Sequence, residues 1–530
     1  MSRFLILSEG GDGVGLALRL QAEGHDAKLW HRDPSCERHG KGLIEFASDY
    51  QMGQTIVADC TGFGILMDKF RDEGLRTFAG STFADKLEAD RQFAEEVMER
   101  ADIKVPLSKR AKSWDEARKI IMKMAERSEK IVLKPEGALS GNVPSYVASD
   151  AEDAIKMLDH FQKNYMASEI ELTVQEFIDG LAISTEGWFN GTDWIPGMFN
   201  HTIERKQFLD GDLGPSGGCS GNLVWACKRT DAVVRRTLLR ITELLQERRY
   251  VGPIDINCVV NDDGIYGLEF TPRFGYDAFP TALYGLMPFN FGQFIDDSAR
   301  DSEAPPTGAL ADGFAAGVRI TLPPYPDTKH EACEGIPVRG FAPEDQQWFY
   351  PYNVAMVGGE LQSSGGAGIL GVLNGSGECI GEAFAKAYEI LLRLKIPEVQ
   401  YRTDLCEQFR TDFRQLQAIT EGKEYGWYGV DLDGTLAEYS GYKHEIGEPV
   451  PRMVSRVKCW LSEGKEVRIL TARGTQGEKK YQSLCGIYAW CREHIGQALE
   501  VTDRKDPEMI RLYDDRVRQV EEGTGELVTA

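Results

Sequence analysis

GPIDINCVVNDDGIYGLEFTPRFG, residues 252–275, reads as two apolar runs joined by Asp262-Asp263-Gly264, a strong β-hairpin signature. Its second run carries Glu269. A carboxylate on an apolar strand needs a partner, and Mg²⁺ is one that accepts only oxygen ligands. Asp255, on the facing strand, is placed to share that metal. The competing reading is a buried Asp–Arg pair that uses Arg273.

Upstream, KIVLKPEG (130–137) is an apolar strand ending in Lys134, which is costly to bury unless it meets an anion such as an ATP phosphate; otherwise it is an edge lysine reaching for water. VQEFIDG (174–180) sets Glu176 and Phe177 at a strand end, suited to gripping an adenine and ribose; exposed glutamates are also common there. TVQEFIDG, AISTEGWFNG and WIPGMFN read as antiparallel strands. In ERKQFLDGDLGPSGGCSGN (204–222), Gly217 and Gly218 leave backbone N–H groups free to cradle a carboxylate or phosphate, or else form a flexible surface loop. Helices are expected over 84–100, 115–127 and 230–248, a small α/β unit over 315–400, and a polar linker helix over 402–424.

At the N-terminus, FLILS followed by GGDGVG (10–15) and an apolar helix opens a β–loop–α–β alternation, which implies a parallel sheet. GGDGVG matches the dinucleotide fingerprint only in part, because Trp30, His31 and Arg32 stand where an acidic residue is expected. A tight turn, with an anion at the helix N-terminus, is the simpler reading.

Composition sets the outer bounds. The 530 residues carry 60 basic and 83 acidic side chains, a net charge of −23. Two or three domains follow from the length, and general nucleic-acid binding is disfavoured. No apolar run approaches the roughly 20 residues that span a bilayer, and the N-terminal run is too short for a signal peptide. The 11 cysteines form no C-x-x-C pair, which points to reduced thiols and a cytoplasmic location.

Residues 1 to about 412 resemble glycinamide ribonucleotide synthetase, the phosphoribosylamine–glycine ligase of the ATP-grasp superfamily. The resemblance runs in order through FAGSTFADKLEADRQFAEEVMERADIKVP, VLKPEG, VQEFIDG, DGDLGPSGG, LEFTPRFG, and GILGVLNGSGECIGEAFAKAYEIL with YRTDL. It implies a carboxylate–amine ligase that forms an amide through an acyl phosphate, with ATP and Mg²⁺ or Mn²⁺ as cofactors. Lys134 would hold ATP phosphates, and Glu176 with Phe177 the adenine edge. Asp255 and Glu269 would hold the metal. Arg273 would steady the phosphoryl group or carboxylate, and Gly217 and Gly218 would shape an amino-acid pocket. The chain departs from the family pattern at GGDGVGLA and DCTGFG, where phosphoribosylamine contacts are expected. It also lacks a second lysine in KPEGALSGNVP, has Thr271 for the family's asparagine, and has Leu181 and Ala182 for acidic residues, with Glu186 a substitute. These changes imply a glycine-like donor and a different phosphorylated or nucleotide-like amine, with genuine phosphoribosylamine–glycine ligation as the alternative.

Residues 427–530 open abruptly with WYGVDLDGT. This segment resembles the haloacid dehalogenase-like phosphatases through VDLDGT, RILTARG, TDRKDP and YDDR, in order. The resemblance implies Asp431 as nucleophile, Asp433 as general acid/base, and Thr471 and Lys505 on the phosphoryl oxygens. Asp431, Asp433, Asp514 and Asp515 would bind Mg²⁺. Short insertions at 437–466 and 474–500 leave little material for a cap. A phosphatase whose ATP-grasp part only binds substrate is a further alternative. The expected architecture is an α/β multidomain chain: a Rossmann-like domain (1–83), an ATP-grasp domain (84–310), a ligase C-terminal subdomain (311–412), a linker helix (413–426) and a Rossmann-like phosphatase domain (427–530). The partners are small-molecule amino-acid and amine substrates, a nucleotide among the candidates, and no membrane.

Overall fold

The computed structural model describes residues 1–49, 54–136, 145–165, 170–300, 306–327, 334–422, 426–439, 445–473, 479–521, 523 and 526–528. The turn after Glu136, where the family's second lysine would fall, lies outside the described residues.

The N-terminal alternation forms a parallel sheet of β1 (Arg3–Ser8), β2 (Asp26–His31), β3 (Glu45–Phe46), β4 (Thr55–Ala58) and β5 (Arg76–Phe78), in the order β3-β2-β1-β4-β5. Phe4 and Ile6 enter one core while Leu5 and Leu7 enter another. Burial on both faces is what a parallel sheet covered by helices requires.

A four-stranded antiparallel sheet follows: β6 (Ser108–Ala111), β7 (Ile131–Glu136), β8 (Tyr146–Ala148) and β9 (Glu171–Glu176), in the order β6-β9-β7-β8. Two helices, Trp114–Met124 and Ala151–Tyr165, cover it. The expected helix 84–100 is two helices, Thr82–Ala89 and Arg91–Arg100. Asp90 ends the first and caps the second, its Oδ1 accepting from Phe93 N at 3.0 Å.

The central sheet has eight strands. β10 (Leu181–Asn190), β11 (Trp194–Leu209), β12 (Leu213–Ala226), β13 (Val251–Asn261), β14 (Gly264–Thr271) and β15 (Phe314–Thr321) join two later strands. These are β17 (Phe349–Pro351) and β20 (Ile369–Gly377), giving the order β14-β13-β10-β11-β12-β15-β20-β17. The 252–275 hairpin is β13–β14, as its turn residues indicate. β9, expected beside β10, belongs instead to the smaller sheet. The glycine-rich 204–222 segment is the β11–β12 hairpin, not a free loop. The expected helix 230–248 breaks at Thr237 (φ −126°, ψ −87°), whose hydroxyl donates to Val233 O. The small α/β unit expected over 315–400 is not independent, because β15 pairs with β12 and extends the central sheet. A small sheet of β16 (Glu334–Pro337), β18 (Val354–Val357) and β19 (Glu360–Ser364) lies beside it.

The last sheet is parallel: β21 (Trp427–Asp431), β22 (Glu466–Leu470), β23 (Val501–Thr502) and β24 (Met509–Tyr513), in the order β23-β22-β21-β24. The expected boundary at 412/413 falls inside one helix, Leu405–Glu421. Its Leu405, Phe409 and Leu416 are buried in the same core as the central sheet, so the helix is packed structure rather than a tether. Among the described residues, no helix is long and apolar enough to cross a membrane.

Candidate functional site

A chamber of about 630 Å³ opens where the N-terminal sheet, the β10–β14 strands and β15 converge. The hairpin register sets Asp255 opposite Thr271 and Asn257 opposite Glu269, so these four side chains share one face of the sheet and line the chamber. Asp255 is buried and accepts from Ser184 Oγ at 2.5 Å, while Asn257 Nδ2 donates to its Oδ1 at 3.3 Å. Burial pushes the Asp255 carboxyl well above its ordinary range, with the Ser184 bond opposing. Glu269 projects into the open cleft. Two carboxylates and an amide oxygen fit a hard divalent cation that takes its remaining ligands from water or substrate phosphates.

Lys134, on β7, faces this hairpin across the gap between the two antiparallel sheets. Burial lowers its pKa, and Glu269 is the carboxylate that most opposes the shift. Arg273 does not pair with Asp255. Its Nε and Nη2 donate to Glu88 (3.1 and 2.9 Å), and its guanidinium lies 4.0 Å over the Tyr276 ring. Gly217 and Gly218 lie on the chamber wall; Gly218 holds φ +86°, a region that favours glycine. The Gly217 carbonyl accepts from Tyr325 OH and from Arg319 Nη1 (3.1 Å).

Four expected ligands, Lys134, Glu176, Phe177 and Glu186, are not among the residues lining this chamber. Glu176 accepts from Leu107 N at 2.7 Å, Phe177 lies under Lys130 at 5.0 Å, and Glu186 is buried, accepting from Trp188 Nε1 and Asn200 Nδ2. Conversely, Arg319, Asp12 and Asp59 were not singled out from the sequence. Arg319 makes two bonds to buried Asp277 (2.7 and 2.6 Å). The signal available was an arginine inside the apolar run FAAGVRIT. The anion expected at the helix Asp12–Ala22 meets Asp12 itself, a carboxylate in that helix's first turn and on the chamber wall.

A second cluster sits at the carboxyl ends of β21, β22 and β24. Val430 pairs with Tyr513, which brings Asp431 beside Asp514 and Asp515; ligand atoms of the three lie within 4.8 Å of one another. Burial, then Asp514, Asp515 and Asp433, push the Asp431 carboxyl up to about 7. Such like charges suit a cation. Gly434 (φ +96°) is required here, since a Cβ would stand 2.8 Å from Asp515 Oδ2. Asp433, expected on the metal, is instead held by Arg473 at 2.5 and 2.6 Å. Thr471 is buried at the end of β22 and accepts from Arg473 N (3.3 Å). Lys505 is exposed, and no contact draws it to the cluster.

Residues 89–278 match the family described as Phosphoribosylglycinamide synthetase, ATP-grasp (A) domain. With the sheets described above, this gives the chain an α/β ATP-grasp ligase fold. In sequence the chain is similar to the phosphoribosylamine–glycine ligase of Halalkalibacterium halodurans, at 26% identity over 373 residues, covering 68% of this chain and 84% of the relative. The Streptococcus pneumoniae ligase of the same name is 27% identical over 383 residues (70% and 87%). In structure the chain is similar to phosphoribosylamine–glycine ligase from Thermotoga maritima, with TM-score 0.58 and 20% identity over 76% of this chain and 99% of that one. Phosphoribosylglycinamide synthetase from Anaerococcus prevotii gives TM-score 0.51 at 13% identity (74% and 99%).

Proposed function

We propose that residues 1–412 join a glycine-like carboxylate to an amine at the expense of ATP. The observation that carries this reading is Lys134 of one antiparallel sheet interacting with Glu269 of the other, while Glu269 shares the chamber lining with Asp255 and Gly217. The donor carboxylate oxygen attacks the γ-phosphorus of ATP, and the bond to ADP breaks. The acceptor nitrogen then attacks the acyl carbon, phosphate leaves with the bonding pair, and the nitrogen loses a proton to solvent. The step rests on positioning and charge neutralisation rather than covalent protein chemistry. Lys134 holds phosphate oxygens, Asp255 and Glu269 hold Mg²⁺, and Arg273, already oriented by Glu88, faces the carboxylate. Glu176 and Phe177 bound the adenine edge through the backbone between the sheets.

The direct test uses the Asp431→Asn protein with ATP, Mg²⁺, each amino acid in turn, and hydroxylamine as a surrogate amine. Glycine-dependent hydroxamate and ADP are expected. ATP binding without turnover across all donors overturns the ligase reading. Efficient amide formation from phosphoribosylamine and glycine establishes the alternative of genuine glycinamide ribonucleotide synthesis.

For residues 427–530 we propose a Mg²⁺-dependent phosphohydrolase. The Asp431–Asp514–Asp515 group at the ends of parallel strands supports this reading. Asp431 attacks phosphorus, the ester oxygen leaves with a proton from Asp433, and water then hydrolyses the aspartyl-phosphate. Arg473 now holds both Asp433 oxygens, so this pair opens before Asp433 carries the proton, which it regains from the attacking water. Phosphate release from small phosphoesters should vanish in Asp431→Asn; release that persists in this variant rules the assignment out.

A further inference from the structure

One part of the ligase chamber is built for a charge opposite to that of a phosphorylated acceptor. Asp12 stands on the chamber wall in the first turn of the helix Asp12–Ala22, where Arg319 and then Arg273 draw its carboxylate without a direct ion pair. Behind it is Asp59, at the end of β4. Asp59 is 7% exposed, and both its carboxylate oxygens are sealed from solvent without a hydrogen-bond partner. Ser8 and Cys60 are the side chains that favour its charge, while Ser8 Oγ donates to Gly10 O at 3.2 Å. A buried carboxylate in this state is costly, and it borders a cavity.

That cavity is a recess of about 10 Å³ between Asp12 and Asp59, walled by the rings of Phe274, Tyr276, Phe279, Tyr350 and Tyr352. It shares Asp12, Tyr276 and Tyr352 with the main chamber, so the two are continuous. Its size admits one water-sized group. Tyr276 is 49% exposed, which gives the recess one movable wall. Two carboxylates inside an aromatic cage form a receptor for a compact cation. A guanidinium is too large, and a primary ammonium matches.

The same region is poorly equipped for a phosphate. Arg319 makes two bonds to Asp277, Arg273 is assigned to the donor carboxylate above, and the charge that both extend toward the recess already falls on Asp12. Burial pushes Asp12 up to about 6, and burial with Asp12 beside it pushes Asp59 up to about 7; a cation entering the recess would favour the charged form of both, and an anion would not.

We infer that the amine acceptor is an unphosphorylated diamine, anchored by a primary ammonium in the Asp12–Asp59 recess while its other nitrogen attacks the acyl phosphate. The anchored nitrogen is not the nucleophile, because two carboxylates hold it in its charged form and a protonated amine cannot attack. The inference rests on the ligase reading above and replaces the expectation of a phosphorylated acceptor.

The test is calorimetric titration of the full-length protein with the α,ω-diamines from diaminoethane to diaminohexane, with n-butylamine, ammonium chloride and ribose 5-phosphate as comparators. At least one diamine should bind saturably, n-butylamine more weakly, and ribose 5-phosphate not at all. Asp59→Asn and Asp12→Asn should each weaken the diamine at least 10-fold, with folding checked by thermal melting. Four results overturn the inference: no saturable diamine, binding unchanged in both variants, tight ribose 5-phosphate binding, or ammonium chloride saturating the recess and blocking nothing larger. The hydroxylamine assay needs no acceptor, so its failure counts against the ligase reading alone.

Discussion

Asp59 gives the clearest residue-scale prediction, because its environment leaves the charge without compensation. Its folded pKa is raised to about 7 from 3.8, so the folded state holds a proton that the unfolded state releases. Stability from this group is present below the unfolded value and is lost as pH rises from about 4 through 7. Asp59→Asn should therefore raise the melting temperature at pH 8 and leave it nearly unchanged at pH 4. The full effect corresponds to roughly 4 kcal/mol at most. Melting curves at the two pH values check this, and a variant that melts lower at pH 8 would refute the account. Gly217 is limited by shape instead. A Cβ there runs into the Tyr325 hydroxyl, which together with Arg319 holds the Gly217 carbonyl. Gly217→Val should abolish donor-dependent ADP formation while ATP binding is retained, a split that activity and binding assays resolve. Lys134→Met should weaken ATP binding about 10-fold or more, the order expected for one lost charge-assisted contact.

At the scale of elements, the hairpin β13–β14 and the helix Leu405–Glu421 do different work. The hairpin sets Asp255, Asn257, Glu269 and Thr271 on one face by register alone, so a one-residue slip would turn all four away from the chamber. The helix fastens the C-terminal part of the chain to the ligase part. Its Phe409 stacks on Phe384 at 5.6 Å and is fully buried. Phe409→Ala should cost about 3–5 kcal/mol, measurable by denaturant unfolding. A loss below about 1 kcal/mol would mean the helix is the tether that its polar sequence suggested.

Across the whole molecule, the N-terminal and C-terminal parts share a charged, partly buried seam. Buried Arg410 binds Glu500, and Arg492 reaches Glu378 and Glu382 at 2.9 and 2.7 Å. Cys379 and Ala385 of the ligase part sit in the core of the C-terminal sheet. Removing one partner of a buried pair strands the other, so Glu500→Ala should cost about 3 kcal/mol and move a single calorimetric transition. Two separated transitions in the intact protein would show that the parts unfold independently. Much of this architecture is readable in order along the chain. The apolar runs, the Asp-Asp-Gly turn and the carboxylates at strand ends are local patterns, and local patterns name strands, turns and the acidic residues they carry. Arg473 on Asp433, Arg319 on Asp277, and the Asp12–Asp59 recess could not be read this way. Each joins residues tens of positions apart whose proximity depends on which strands become neighbours. The boundary placed at 412/413 failed for the same reason: the polar surface of a helix is visible in sequence, but the core its other face enters is not. Motif spacing thus names candidate residues for ATP, metal and carboxylate, while the Asp12–Asp59 recess arises only when β4, the first turn of the helix Asp12–Ala22 and the aromatic side chains after β14 close around one small space.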